Sequence, residues 1–263
     1  MGIGALIGAV VGAVAGASGI IIAGFTAGTM WAAGAAIGAL FDKPDTGFSG
    51  FTAGPTSPTY SFGQIQNTRS QKLPVPLVYG RVRLAGNVIM QRFLDDQKTK
   101  QDMLIALGLG EFESISDVKV NELSLNVGSS GNPEGCSLNI YRGTETQQAD
   151  SRSLGGKRYP NTAYLAVTLK ASEKISGNPT ITCIAKGRKV WTPDGVMYTT
   201  NPAWIVYDIL TGTYYDPEAR RYEPVGLGLP RELIDLDSFK EAAAYCDELV
   251  DGEPRFTIDY TID

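Results

Sequence analysis

Hydrophobic and polar positions divide this chain into two regimes. Along residues 61–263 apolar residues recur mostly with a period of two, the spacing of a strand with one buried face. PVPLVYGRVRLAGNVIMQRF alternates β-branched residues and is punctuated by Gly80 and Gly86. DMLIALGLG is a short apolar run that fits a buried strand. ISDVKVNELSL alternates again, with Val118 and Val120 facing one way around Asp117 and Lys119. A turn or loop is expected from Gly128 to Gly135. TAYLAVTLK alternates well, and TITCIAKGRKVW is expected to pair with it. Many short strand signals separated by turns predict antiparallel sheet.

The period changes to that of a helix in two places. NPAWIVYDILTG offers Asn201 as a cap, Pro202 at the first helical position and Gly212 as a stop, with Trp204, Tyr207 and Leu210 on one face. DSFKEAAAYCDELVDG is expected to begin at Asp237 or Ser238, the latter forming a capping box with Glu241. Phe239, Ala242, Ala243, Cys246 and Leu249 would form its apolar stripe, and Gly252 would close it. The body therefore reads as α+β: mostly antiparallel sheet with two helices near the C-terminus.

A different physics governs residues 1–41, where no charged residue occurs before Asp42. Gly4, Gly8, Gly12 and Gly16 recur every four residues; Gly24 and Gly28 keep that phase, and Gly34 and Gly38 form a further pair. On a helix this spacing aligns the glycines in one ridge, across which a second helix can approach closely. Each glycine costs a water-exposed helix about 1 kcal/mol relative to alanine, so packing or an apolar solvent must offset it. The length suits one long membrane span or a tight hairpin of two short ones. A secretory signal is disfavoured, because a basic leading region is missing and the first lysine is Lys43. A constitutive anchor, a segment stowed inside an assembly and later released into a membrane, and an Ala/Gly linker all remain open readings. Residues 42–60, rich in Gly, Pro, Ser and Thr, read as a linker. The expected division is thus 1–41, 42–60 and a body at 61–263, the last with subdomains near 61–135 and 136–263.

Composition narrows the chemistry. The sequence contains no histidine, which removes Ser-His-Asp and Cys-His hydrolases and the H-E-x-x-H metalloproteases. The three cysteines, Cys136, Cys183 and Cys246, are widely spaced and read as buried small hydrophobes. A formal net charge of -5 argues against a sequence-specific nucleic-acid binder. The densest basic stretches, Arg81/Arg83 and Lys186 to Lys189, alternate with apolar residues as solvated strand faces do. Gly108-Leu109-Gly110 and Gly226-Leu227-Gly228 lack the third glycine of a dinucleotide fingerprint and read as turns. No catalytic, cofactor-binding or metal-binding residue is expected, and no cofactor.

Several phrases, in order, resemble phage tail-hub proteins. PVPLVYGRVRLAGNVIM and LIALGLGEFESISDVKVNELSL resemble the opening of that family. YPNTAYLAVTLK, IAKGRKVWTPDG, NPAWIVYDILTGTYY with GLGLP, and IDLDSFKEAAAYCDELVDGEPRFTID resemble the tip attachment proteins of lambda-type siphophages and the hubs of gene transfer agents. The resemblance covers about Tyr60 to Asp263, and the glycine-rich start is similar to the gene-transfer-agent branch. It implies a virion structural protein: a homotrimeric baseplate hub closing the tail tube. Its implied partners are the distal tail protein and other tail-tip proteins, with the tape measure protein and the host membrane at ejection as further candidates. Two departures stand out. The sequence given stops soon after EPRFTID, where relatives continue, as a truncated product or a split hub would. DPEARRYEP is a longer insertion than usual, expected to be a surface loop facing a neighbour. The alternatives from other classes are a tail-associated cell-wall hydrolase using paired carboxylates and a bacterial membrane-anchored protein.

Overall fold

Met103 to Leu107 is buried at every position, so this run cannot lie on a sheet with a wet face. In the computed structural model, which describes residues 66–70, 73–216 and 219–262, it forms the middle of β4 (Lys100–Leu109). Strand β4 sits inside a four-stranded antiparallel sheet of order β3-β4-β8-β7, with β3 at Asn87–Phe93, β7 at Ser137–Arg142 and β8 at Thr162–Lys170. A second four-stranded sheet has the order β2-β9-β5-β6, with β2 at Arg81–Leu84, β5 at Phe112–Val120, β6 at Leu123–Ser124 and β9 at Ile181–Arg188. Each sheet takes strands from both sides of residue 135.

The main core lies where the two sheets meet. Met103, Ile105 and Leu107 of β4 and Leu165, Val167 and Leu169 of β8 pack against Val118, Val120, Ile181, Cys183 and Ala185 of the other sheet. Burying each of the larger side chains contributes about 1.5–3 kcal/mol. The opposite face of the first sheet is covered too: Leu104, Met90, Tyr164 and Ala166 form a small cluster beneath Tyr141 and Tyr159. Even and odd positions of one apolar run thus serve separate cores. Cys136, Cys183 and Cys246 are free and buried, as the sequence suggested.

The expected pairing of TAYLAVTLK with TITCIAKGRKVW does not occur. Strand β8 is buried on both faces and engages β4 on one edge and β7 on the other. No edge remains for β9, which crosses to the opposite sheet between β2 and β5.

A second unit is built from helices and hairpins. Helix α1 (Pro202–Thr211) starts at Asn201, whose side chain accepts from Ala203 N at 2.9 Å, and ends at Gly212, as predicted. Helix α2 (Leu236–Asp247) begins earlier than expected. Its cap is Asp235, which accepts from the backbone N–H groups of Asp237 and Ser238, while Ser238 Oγ donates back to the Asp235 carboxylate. A carboxylate in the preceding position reaches the first-turn N–H groups, so the Ser238/Glu241 box does not form. The helix also stops short of Gly252. Leu249 is 67% exposed in the hairpin of β14 (Leu249–Val250) and β15 (Glu253–Pro254), so it leaves the apolar stripe. Phe239, Ala242, Ala243 and Cys246 keep their buried places, and the first three pack on Ala203, Val206, Tyr207 and Leu210 of α1.

Shorter pieces complete the body: β1 (Leu77–Tyr79), which pairs with β16 (Tyr260–Ile262), the hairpin of β10 (Val190–Thr192) and β11 (Gly195–Met197), and the hairpin of β12 (Thr213–Asp216) and β13 (Arg221–Pro224). The insertion DPEARRYEP therefore includes a strand and is a hairpin, with Tyr222 of β13 edge-on to Tyr215 at 5.4 Å. Its outward strand is exposed except Glu223, consistent with the expected surface position.

Gly80 links β1 to β2 with φ +70, and a Cβ there would overlap the Ile258 carbonyl oxygen and the Asp259 side chain. Its neighbour Arg81 N donates to Asp259 Oδ1 at 2.6 Å. Gly80→Ala should destabilise the body by about 2 kcal/mol or more in urea unfolding, because a left-handed conformation and a clash act together. Gly177→Ala, also at positive φ but in open space, should cost only about 1 kcal/mol. Equal losses at the two sites would show that the close approach at Gly80 is not real.

Candidate functional site

The two units meet at a buried polar junction that none of the single motifs announces. Asp208 lies in mid-helix on α1, Arg188 ends β9 and Tyr79 ends β1. The Tyr79 hydroxyl donates to Asp208 Oδ2 at 2.7 Å. Arg188 Nε donates to the same oxygen at 2.8 Å, and its Nη2 reaches Oδ1 at 3.3 Å. All three residues are buried, Arg188 being 7% and Asp208 4% exposed. A fork of two N–H donors facing a carboxylate fixes both distance and orientation.

Local backbone makes room for this arrangement. Gly110, at φ +94 after β4, lies against the Arg188 guanidinium, and a Cβ there would overlap Nη1. At the other end, Gly212 N donates to the Asp208 carbonyl at 2.6 Å and closes α1. Asn201 adds a second tie, its Nδ2 donating to the Ala243 carbonyl of α2 at 2.9 Å. Trp191 stacks on Tyr207 at 5.3 Å, and the Arg231 guanidinium lies 4.6 Å from the Trp191 ring.

Burial, reinforced by the negative charge of Asp208, pushes the Tyr79 hydroxyl well above its ordinary pKa, so it stays a donor. Burial alone would weaken the protonated form of Arg188, but the Asp208 carboxylate more than offsets this and raises its pKa. The cluster is closed to solvent, and its carboxylate accepts from three side-chain donor groups. Its chemical capacity is to hold a fixed angle between the sheets and the helices.

A second polar network lies on the far side of the first sheet. Asp150 accepts from Asn139 Nδ2 at 2.7 Å and the Tyr141 hydroxyl at 3.0 Å, and Arg152 Nη1 pairs with it at 2.9 Å. Arg152 continues through Thr168 Oγ1 at 2.9 Å, which donates to Asp102 Oδ1 at 2.8 Å. Burial alone would raise the Asp150 pKa; the Arg152 backbone N–H, the Asn139 amide and the Arg152 charge together hold it below the usual carboxylate range. This network pins the 143–161 segment over β7 and β8.

The glycines singled out in the sequence, Gly4, Gly8, Gly12, Gly16, Gly24, Gly28, Gly34 and Gly38, lie outside the described residues. So does the 42–60 linker. Among the described residues no group of three or more Cys, Asp and Glu is placed to hold a metal ion, and no helix is long and apolar enough to cross a membrane. Only Gly110 meets the turn reading, lying in the bend after β4 at positive φ; Gly108 and Leu109 are strand residues of β4, where a Cβ on Gly108 would overlap the Phe112 ring. Arg188, expected on a solvated face, is instead enclosed because α1 covers that end of its sheet. The signal was present: Asp208 interrupts the apolar sequence IVYDIL, and a carboxylate within a buried stripe demands a cation.

No protein-family model and no curated protein matches the chain. Among solved structures it is similar to a chain described as "Virion of native gene transfer agent (GTA) particle", at 22% identity and a TM-score of 0.38. The likeness covers 48% of this chain and 29% of that one, so the chain spans well under two thirds of its length.

Asp208→Asn should cost about 3–5 kcal/mol of stability in urea unfolding, since Arg188 is left buried without its counter-charge. Tyr79→Phe should cost only about 1–2 kcal/mol. The double change Asp208→Leu with Arg188→Met should recover most of the first loss. A double variant as unstable as Asp208→Asn would mean that the pair is needed for more than mutual neutralisation.

Proposed function

We propose that the chain is a structural tail-tip (baseplate) hub protein of a phage or phage-like particle. It closes the tail tube as a homotrimer, docks to the distal tail ring and takes part in tip opening and genome ejection. The observation that carries this reading is the set of hub-like phrases, present in order over about Tyr60 to Asp263. Their placement adds support. Tyr79 comes from the first phrase, Arg188 from IAKGRKVW and Asp208 from NPAWIVYDILTG, and these three residues form the buried junction. The family-like phrases therefore hold the residues that lock the two units of the fold together. Such a rigid body suits a part that must bear load and then move as a whole.

The uncharged start has its own role in the proposal. Three copies of residues 3–41 pack through Gly4, Gly8, Gly12, Gly16, Gly24, Gly28, Gly34 and Gly38 within the tube. On ejection they enter the host membrane and line a path for DNA. Zero charge, the four-residue glycine period and the linker at 42–60 motivate this step. The hub has no chemistry of its own in this reading.

Co-expressed with a distal tail protein of the same particle, the chain should sediment as a trimer-scale assembly bound to that ring. A chain that stays monomeric and ignores the ring, or purified residues 60–263 that clear a cell-wall suspension, would overturn the hub assignment. Particles carrying Gly8→Leu, Gly12→Leu and Gly16→Leu should assemble normally and lose DNA ejection. Ejection at the wild-type rate would remove the glycine ridge from the mechanism.

A further inference from the structure

The outer face of the β2-β9-β5-β6 sheet carries an arrangement of charge that its own neighbours do not resolve. Val82 and Leu84 of β2 and Cys183 and Ala185 of β9 point into the core, so Arg81, Arg83, Lys186 and Arg188 share the other face. Both ends of this cationic strip are neutralised: Arg188 by Asp208 and Arg83 by Asp117. The middle rung is not. Arg81 and Lys186 are directly opposite in register and both exposed, and among the described residues neither side-chain cation is in an ion pair; the Asp259 carboxylate beside Arg81 accepts from its backbone N–H instead. Ser114 continues the rung on β5, and the Lys186 ammonium stands 5.5 Å from the Tyr198 ring centre. Like charges directly opposite on neighbouring strands destabilise a sheet. A partner bearing carboxylates would relieve that repulsion on docking.

The chain carries the matching surface elsewhere. The last turn of α2 and the β14–β15 hairpin expose Asp247, Asp251 and Glu253, with Glu241 exposed at mid-helix, and none of these is in an ion pair among the described residues. The two cations of this region are already committed, Lys240 to Asp237 and Arg255 to Glu248. Between the acids sit Leu249 and Val250, 67% and 44% exposed, an apolar centre inside an acidic rim. That is the anatomy of a small contact surface. No ion pair among the described residues joins this hairpin to the Arg81–Lys186 rung of the same copy.

We propose that the Arg81–Lys186 rung of one copy receives the acidic β14–β15 hairpin of a second copy. The two surfaces differ, so the contact runs head to tail and repeats around a closed ring. The inference rests on the homo-oligomer in the reading above and names the surfaces that join it.

The full chain tests it by sedimentation velocity at low and high salt. Self-association of the wild type should weaken as salt screens the contact. Arg81→Glu with Lys186→Glu, or Asp251→Lys with Glu253→Lys, should each weaken association by about tenfold or more. All four changes in one chain should restore it, because the charges are exchanged and still complementary. If the glutamate pair disturbs folding, Arg81→Gln with Lys186→Gln takes its place: weaker association at an unchanged melting temperature supports the contact. Reversals that leave a wild-type trimer intact would overturn the inference and leave the hub reading standing. A wild-type chain that is monomeric at every concentration would remove both. A single-stranded oligonucleotide that binds at Arg81 and Lys186 and competes with self-association would reassign the face to nucleic acid and overturn the contact.

Discussion

The carboxylate of Asp208 stands where three parts of the chain would otherwise be free to slide. It is carried by a helix, held by a guanidinium from the end of one strand and a phenol from the end of another. Isolated in an apolar interior, either charge would be expensive; together, joined by two N–H donors and the phenol, they specify one geometry. Burial also keeps the Tyr79 proton in place, so the junction does not loosen through its phenol near neutral pH. The apolar contacts of α1 and α2 supply attraction without direction, and the ion pair supplies the direction.

The surrounding architecture follows from that division of labour. The two sheets form their own core, with β4 and β8 buried on both faces and therefore fixed between partner strands. The helices form theirs, with Tyr207 and Phe239 at its centre. A third, smaller cluster of Leu77, Tyr79, Val190, Ile205 and Ile258 joins them beside the junction. Strand β1 takes part in this joint at one end of the described body, and β16 pairs with it from the other. Segments distant in sequence thus close on one another at Gly80 and Asp259, which makes the joint a property of the whole body.

This arrangement has a physical consequence. The Asp208–Arg188–Tyr79 contacts between its units are buried and directional, so the body should respond to force as one piece. Among the exposed charges, the Arg81–Lys186 rung and the acidic β14–β15 hairpin are two patches of opposite sign, which gives the surface a sense of direction. A directional surface on a rigid body builds rings more readily than symmetric pairs.

Much of the local structure was legible in the chain. Period-two alternation marked the strands; Asn201, Pro202 and Gly212 bounded α1, because capping chemistry is local. Even so, Asp235 displaced Ser238 as the second cap, because the helix starts a turn earlier at Leu236 and the Asp235 carboxylate meets the N–H groups of Asp237 and Ser238. The pairing of strands was not legible. TAYLAVTLK and TITCIAKGRKVW are adjacent and both alternate, yet burial on both faces of β8 and the need to fill the opposing sheet sent them to different sheets. The junction lay between these extremes. Asp208 within IVYDIL signalled a buried charge needing a partner, but twenty residues separate it from Arg188 and 129 from Tyr79. Composition and short-range pattern thus determined the α+β character, the element types and the charge-free start. Only the tertiary structure chose which strand edges met and which cation answered Asp208, because those choices are made by burial over distances that no local pattern encodes.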